Sequence, residues 1–395
     1  MKRAGRPLFS SLVLLLLGGR AAQGVASCAD SEATPAAALD AGPQPDSATI
    51  IEMPDAPVAE PCSSGDAFCA VALPSSTPVS LNGVWGSSRD DVWIVGSPDF
   101  TLHWDGARLL SANASTRQTP FGIWGSGKDD VWSFSAGNAM WHSTGFEDGG
   151  DGGAGWSFYD GADGGGWPGA ITAMWGRNAN DVWAVGPFVD QLAVPTIWHC
   201  DGWRNGAPQW AFVNTVDATD SEPAHAEPLS FNAIWGNTNF EVWIVGMGGK
   251  TRYGSALDKS PGKWTPINSA TSIDLNAVWG VSDGDVWAAG AGGTMRRFSR
   301  GAGGTWTASE VALPTTATIF GLYGFAANDI WAVGSAGTIV HWDGHDWKLV
   351  TIPGDAGAPL DDLFAVWGSG PADVWAVGRN TLLHRGNAPL PRKSP

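Results

Sequence analysis

Apolar and polar positions alternate along this chain in short runs of strand length, and the runs recur in a fixed order. One unit reads L-N-A-V-W-G, a polar break, D-V-W-A-V-G, a turn of small residues, and then a third alternating run. Two tryptophans eight apart mark the copies: Trp85/Trp93, Trp124/Trp132, Trp175/Trp183, Trp235/Trp243, Trp279/Trp287 and Trp367/Trp375, with Tyr323/Trp331 as the one variant. The second Trp recurs at intervals of 39, 51, 60, 44, 44 and 44 residues. Alternation of period two predicts half-buried strands, and a repeat near 44 residues built of such strands predicts the blades of a β-propeller. The fold class expected is therefore all-β: a seven-bladed β-propeller of four-stranded blades.

The copy at 319–352 shows the blade most plainly. IFGLYG is the first strand, DIWAVG the second, TIVHW the third and WKLVTI the fourth. Asp343-Gly344 sits in the last hairpin, where Gly supplies positive φ at low steric cost; Asp105-Gly106 and Asp201-Gly202 repeat it. An acid stands two residues before each second Trp: Asp91, Asp130, Asp181, Glu241, Asp285, Asp329 and Asp373. Its expected work is to accept turn N–H groups. The seventh copy stops after a third strand, TLLHRG at 381–386. FCAVALPSSTPVSLNGVWG at 68–86 parallels TASEVALPTTATIFGLYG at 307–324, so residues 68–73 are expected to supply the missing outer strand. A ring closed in this way leaves fewer open sheet edges.

Composition changes the picture in two places. The chain holds 24 Trp, and all but Trp167 and Trp203 fall at repeat positions of the four strands. A buried Trp removes roughly 150–250 Å² from water, on the order of 4–6 kcal/mol before entropy is charged. The Trp content is thus explained by packing, without a carbohydrate platform. The net charge of −17 argues against nucleic acid and anionic membrane surfaces as partners.

Residues 1–27 read as an export signal, with Lys2, Arg3 and Arg6 ahead of the short apolar core PLFSSLVLLLLGG. Val25-Ala26-Ser27-Cys28 follows, and small residues before a Cys resemble the bacterial lipobox, which implies lipidation at Cys28. Ordinary cleavage near 22–27 and release as a secreted protein is the alternative. Residues 28–61, rich in Ala, Pro and Asp, read as a disordered acidic tether. The propeller is expected over 62–386, with a disordered tail at 387–395. Cys62 and Cys69 flank SSGDAF, and an exported protein permits a disulfide there, while Cys200 is left over as a packed thiol. The protein is expected in the bacterial cell envelope or secreted, as a monomer, touching membrane only through its N-terminal lipid.

The WG…DVWAVG…W-D-G…W pattern over about 68–386 resembles the BNR, or Asp-box, class of bacterial repeat propellers. Ser299-Arg300-Gly301-Ala302-Gly303-Gly304-Thr305-Trp306 keeps the frame of an Asp box but has Gly301 at the Asp position. That class includes sialidase-like folds, so the resemblance admits hydrolase chemistry. No arginine motif of the sialidase kind precedes the repeats, and Tyr253 and Tyr323 occupy repeat positions. His103, His142, His199, His341 and His384 share one third-strand slot, filled by Tyr253 and Arg297 in the other two blades. Sites on successive blades diverge around a ring, so these read as structural groups hydrogen-bonded between blades rather than metal ligands. EDGGDGG at 147–153 and DGADGGG at 160–166 read as solvated loops, with Ca²⁺ as the alternative; no other cofactor or metal is expected.

Hairpins between first and second strands have one length throughout, so the extra length falls elsewhere: 160–170, 187–196 and 213–230. By strand alternation these three connections emerge on one face, where long loops on a rigid scaffold build binding sites. Trp167, Phe188, Asp190 and Trp203 are the candidate binding residues. The function expected is a non-catalytic binding or scaffolding module for a protein or glycan partner. The alternative is a degenerate or cryptic glycoside hydrolase or lyase of the sialidase-like propeller type.

Overall fold

The computed structural model describes residues 67–75, 77–112, 119–135, 139–146, 155–159, 170–188, 196–213, 229–255, 257, 263–352 and 361–386; the expected leader, tether and tail lie outside them. The described residues form seven four-stranded antiparallel sheets. Their inner strands are Ser80–Ser88, Gly122–Gly127, Ala173–Asn178, Phe231–Gly236, Leu275–Ser282, Ile319–Ala326 and Leu363–Gly370, blades one to seven in that order. Each inner strand neighbours the next, and Leu363–Gly370 returns to Ser80–Ser88, so the sheets close into a ring.

The ring closes as expected. Blade seven runs, from outside in, Phe68–Ala70, Thr381–Arg385, Asp373–Gly378 and Leu363–Gly370. Phe68 pairs with Arg385 and Cys69 with His384. Fully buried Phe68 meets Trp331 of blade six edge-on, centroids 5.5 Å apart. Fourth-strand tryptophans do the same elsewhere: Trp156 on Trp93 at 5.5 Å, Trp264 on Trp183 at 5.7 Å, Trp347 on Trp287 at 5.9 Å. The strand from the other end of the chain thus places an aromatic ring in the slot that a fourth strand must fill.

The Trp-Gly dipeptide of the first strand explains how blades lock. A Cβ added at Gly86 would stand 2.5 Å from the Asp91 carbonyl and 2.6 Å from Cη2 of Trp367 in blade seven. Gly125 meets Trp85, Gly176 meets Trp124, Gly236 meets Trp175, Gly280 meets Trp235 and Gly324 meets Trp279. Each first Trp therefore lies over the bare backbone of the next blade's Gly, a contact that only glycine admits. Where Tyr323 replaces Trp, Phe325 covers Gly368 instead. Outer strands carry Pro208 and Pro266, residues that donate nothing to an added strand and so blunt the open edges.

Candidate functional site

The strands have two ends. At the hairpin end lie the turns between first and second and between third and fourth strands. At the other end lie the turns between second and third strands and the connections from blade to blade.

At the hairpin end the framework acid has a different role from the one expected. Asp91 Oδ1 accepts from Trp93 Nε1 at 3.1 Å and from His103 Nε2 at 2.7 Å, and Ser87 Oγ donates to its Oδ2 at 2.5 Å. The same arrangement holds at Asp130, with Trp132, His142 and Ser126. His199, His341 and His384 bond Asp181, Asp329 and Asp373 at 2.6, 2.7 and 2.6 Å. The histidines are therefore bonded within their own blade rather than between blades. Asp and Trp two apart share one face of a strand, and His lies directly opposite Trp on the next, so the three polar atoms converge. Burial alone would raise these carboxyls, but the hydrogen bond from His and the partners around it outweigh it. Asp91, Asp130, Asp181 and Asp373 are held below the ordinary carboxylate value. An ionised carboxylate only accepts, so Nε2 is the donor in His103, His142, His199 and His384.

Two blades keep the device with other chemistry. In blade five Arg297 donates to both oxygens of Asp285, at 2.7 and 2.8 Å, leaving buried Trp287 Nε1 without a partner. In blade four Tyr253 donates to Glu241, which also accepts from Arg300 Nη1 of blade five at 3.0 Å. Burial and the Glu241 carboxylate push the Tyr253 phenol up. Arg177 pairs with Asp181 and lies over Phe240, 3.5 Å from its centroid. Arg177, Arg297 and Arg300 are thus each committed to a different framework acid. Among the described residues no group of His, Cys, Asp and Glu has the geometry to hold a metal ion.

At the opposite end the inner strands carry a β-bulge at Asn82, Asn232, Asn276, Phe320 and Phe364. Phe121 and Thr172 hold the equivalent places in blades two and three. A bulge residue has no cross-strand partner and is re-aimed out of the pleat. Asn82 Nδ2 donates to the Pro120 carbonyl of the next blade at 2.9 Å, Asn232 to Leu275 at 3.0 Å and Asn276 to Ile319 at 3.1 Å. Thr172 Oγ1 reaches the Phe231 carbonyl at 2.7 Å. The phenylalanines have no such donor: Phe320 and Phe364 pack together at 5.7 Å, and Phe121 is 45% exposed. Asn380 clasps the closing seam, accepting from Val79 N at 2.9 Å and donating its own N–H to Val79 O at 2.8 Å.

Of the four expected binding residues the structure describes Phe188 and Trp203, and these two stand at opposite ends of the strands. Phe188 stands at the bulge end, its N–H bonded to Ser230 Oγ at 3.0 Å. Trp203 stands at the hairpin end, its indole N–H on the Ala179 carbonyl and its rings against Trp132 and His142 of blade two. The strand Ile197–Arg204 runs on past an irregularity after Cys200 and carries Trp203 into that seam. Trp167, Asp190, Cys28 and Cys62 lie outside the described residues, as do both glycine-rich acidic segments expected as loops. Cys69 is disulfide-bonded, and Cys200 is a free, buried thiol that burial pushes up. The bulge ring escaped the sequence reading, although its signal was there: one position of a constant frame varies between Asn, Thr and Phe.

No protein-family model and no curated protein sequence matches the chain. Solved structures do. YCF48 from Cyanidioschyzon merolae is 18% identical, over 81% of this chain and 98% of its own, with a TM-score of 0.59. YCF48 bound to a D1 peptide is 16% identical, over 82% and 97%, at 0.60. The extracellular domain of the hybrid two-component system BT4673 from B. thetaiotaomicron is 12% identical, over 81% and 39%, at 0.55. At these identities the likeness is one of fold: the chain is a seven-bladed β-propeller, with an extracellular bacterial propeller among the structures it resembles.

Proposed function

We propose that this chain is an exported propeller, lipid-anchored at Cys28, that binds a protein or glycan partner and performs no chemistry on it. One observation carries the reading. The repeated polar side chains at the hairpin end are spent on hydrogen bonds inside each blade, whereas the bulge end varies from blade to blade on the same rigid frame. A constant frame with one variable end is how scaffolds carry recognition. A similar propeller solved with a peptide, and another that forms an extracellular domain, support binding and an outside location. The lipobox-like Val25-Ala26-Ser27-Cys28 behind an apolar core supports the anchor. The blade pattern resembles that of the BNR-type propellers, with Gly301 at the position of their Asp. Protein and glycan capture by the purified chain, run beside a glycan hydrolysis panel, tests the function. A captured partner with no turnover supports it; hydrolysis overturns it. Fatty-acid labelling of the wild type but not of Cys28→Ser tests the anchor.

A further inference from the structure

We propose that the outer edge of blade five is a dimerisation surface, where the strand Trp306–Glu310 pairs antiparallel with the same strand of a second copy. This surface is independent of whatever the bulge end binds, and it makes a weak two-fold dimer of a chain whose sequence pointed to a monomer.

Every blade ends on an outer strand, and such edges are normally protected against pairing. Phe68–Ala70, Leu109–Ser111, Ser157–Tyr159 and Trp347–Leu349 are only three residues long. Pro208 interrupts the outer strand of blade three, whose register also shifts, and Lys263 and Pro266 bracket that of blade four. Blade five has none of these devices. Its edge runs for five residues without Pro, Lys or Gly, in unbroken register from the Arg300–Trp306 pair to the Arg296–Glu310 pair. Thr307, Ser309 and Glu310 are exposed, and among the described residues no further strand pairs with this one.

The phase of the ladder decides which main-chain groups are open. Val311 N–H donates to the Met295 carbonyl at 3.2 Å, and Gly301 N–H to the Thr305 carbonyl at 2.9 Å. Hydrogen-bonded pairs alternate along an antiparallel ladder, so Thr307 and Ser309 turn their main chain inward, while Trp306, Ala308 and Glu310 turn N–H and C=O outward. These three are symmetric about Ala308. A two-fold axis through Ala308 pairs Trp306 with Glu310 of the second copy and Ala308 with its own counterpart, so each outward group meets its complement. Thr307 then faces Ser309, a favourable cross-strand pair.

Charge favours this occupant over an unrelated strand. One end of the edge carries Trp306, with the Arg300 guanidinium 5.6 Å from its ring centroid. The other end carries Glu310, its side chain 78% exposed and 3.8 Å from Arg296. Antiparallel self-pairing sets each Glu310 against the Trp306–Arg300 end of the other copy, whereas parallel pairing sets Glu310 against Glu310. Such complementarity fixes orientation more than strength. A contact of one strand stays below the ~1,200 Å² of a standard interface, so the dimer is a weak one.

Sedimentation of the purified chain across a hundredfold dilution series tests the dimer. The wild type should move from the mass of one copy towards that of two as concentration rises. Ala308→Pro deletes an outward N–H that blade five itself does not use, so it should keep the wild-type melting temperature and sediment as one copy throughout. Glu310→Lys, a change at an exposed side chain, should raise the dissociation constant at least tenfold. Under mild oxidation Ala308→Cys should form a reducible covalent dimer, because facing Cα atoms in a hydrogen-bonded pair lie about 5.5 Å apart, within disulfide reach. Thr307→Cys, opposite Ser309 rather than its own counterpart, should form at least fivefold less. A wild type that stays at one copy at every concentration overturns the proposal, as does an Ala308→Pro variant that dimerises like the wild type. Should Ala308→Pro melt early, Glu310→Lys and the cross-linking pair decide. Unchanged affinity in the first, or equal cross-linking in the second, overturns the proposal.

Discussion

The two ends of this ring are built from the same twenty-eight strands, yet their polar chemistry is organised differently. At the hairpin end every blade presents an acid with a planar or cationic partner at one register position: His in five blades, Tyr253 in one, Arg297 in one. Where the partner changes, the acid is still satisfied, so the hairpin end tolerates exchange only between groups that bond it. At the bulge end the position alternates between a residue that stitches the seam and one that does not. The first pattern is that of a structural requirement; the second is that of a surface released from one.

The largest effect should come from opening the ring. Deleting 62–75 removes Phe68 and Val71, both buried, along with the outer strand of blade seven. Loss of a buried Phe alone costs about 3–5 kcal/mol. Thermal melting should fall by roughly 10 °C or more in a single transition. A melt that does not move would mean that the ring does not depend on its closure.

Next in size is the hairpin network. Asp130→Ala strips the acceptor from buried Trp132 and His142 and should cost about 2–4 kcal/mol in denaturant unfolding. The same groups set an acid limit. Asp91, Asp130, Asp181 and Asp373 have folded values below the ordinary 3.8, so their stabilisation is complete above that pH and is lost as pH falls through the folded values. For these groups the melting temperature should hold down to about pH 4 and then decline. Asp130→Asn, which cannot ionise, should decline less steeply. An equal slope in that variant would remove Asp130 from the acid response.

Smaller again is the blade lock. Gly86→Ala drives a methyl into Trp367 and should cost about 1–3 kcal/mol. Gly127→Ala, on the same hairpin end but with nothing within 4 Å, should be near neutral. Equal effects would show that the Trp-over-Gly contact is not what holds blades together.

How much of this was legible in the sequence follows from what periodicity encodes. Seven Trp frames and the shared VALP segment were enough for the architecture and the closing strand, because each copy must bury the same face. The acid–His–Trp contact could have been drawn as well: two residues apart on one strand and opposite on the next is simple pleat geometry. The adjacent turn offers the same acid N–H groups close in sequence, and such local bonds are easier to read from a sequence than cross-strand ones. The bulge leaves a weaker trace: one extra residue between Leu81 and Gly83 turns Asn82 out of register, and in the sequence it shows only as the one position of the frame that varies between Asn, Thr and Phe. Trp203 was misplaced for a similar reason: an irregular strand carried an apparent loop aromatic into a seam. Long connections were legible from length, and they mark the same end as the bulge ring.

The smallest expected shift is also the most direct test that the two ends divide the work. Paired thermal and urea unfolding should compare Phe320→Asn/Phe364→Asn with Asn232→Phe/Asn276→Phe. The first pair exchanges a ring contact for two seam hydrogen bonds, terms of about 1 kcal/mol each way, and should stay within roughly 1 kcal/mol of the wild type. The second pair removes seam bonds already made and should lose about 1–3 kcal/mol. If the first pair instead falls by more than about 3 kcal/mol, the cost of emptying a packed core site, the phenylalanines belong to the framework and the division between the ends is contradicted.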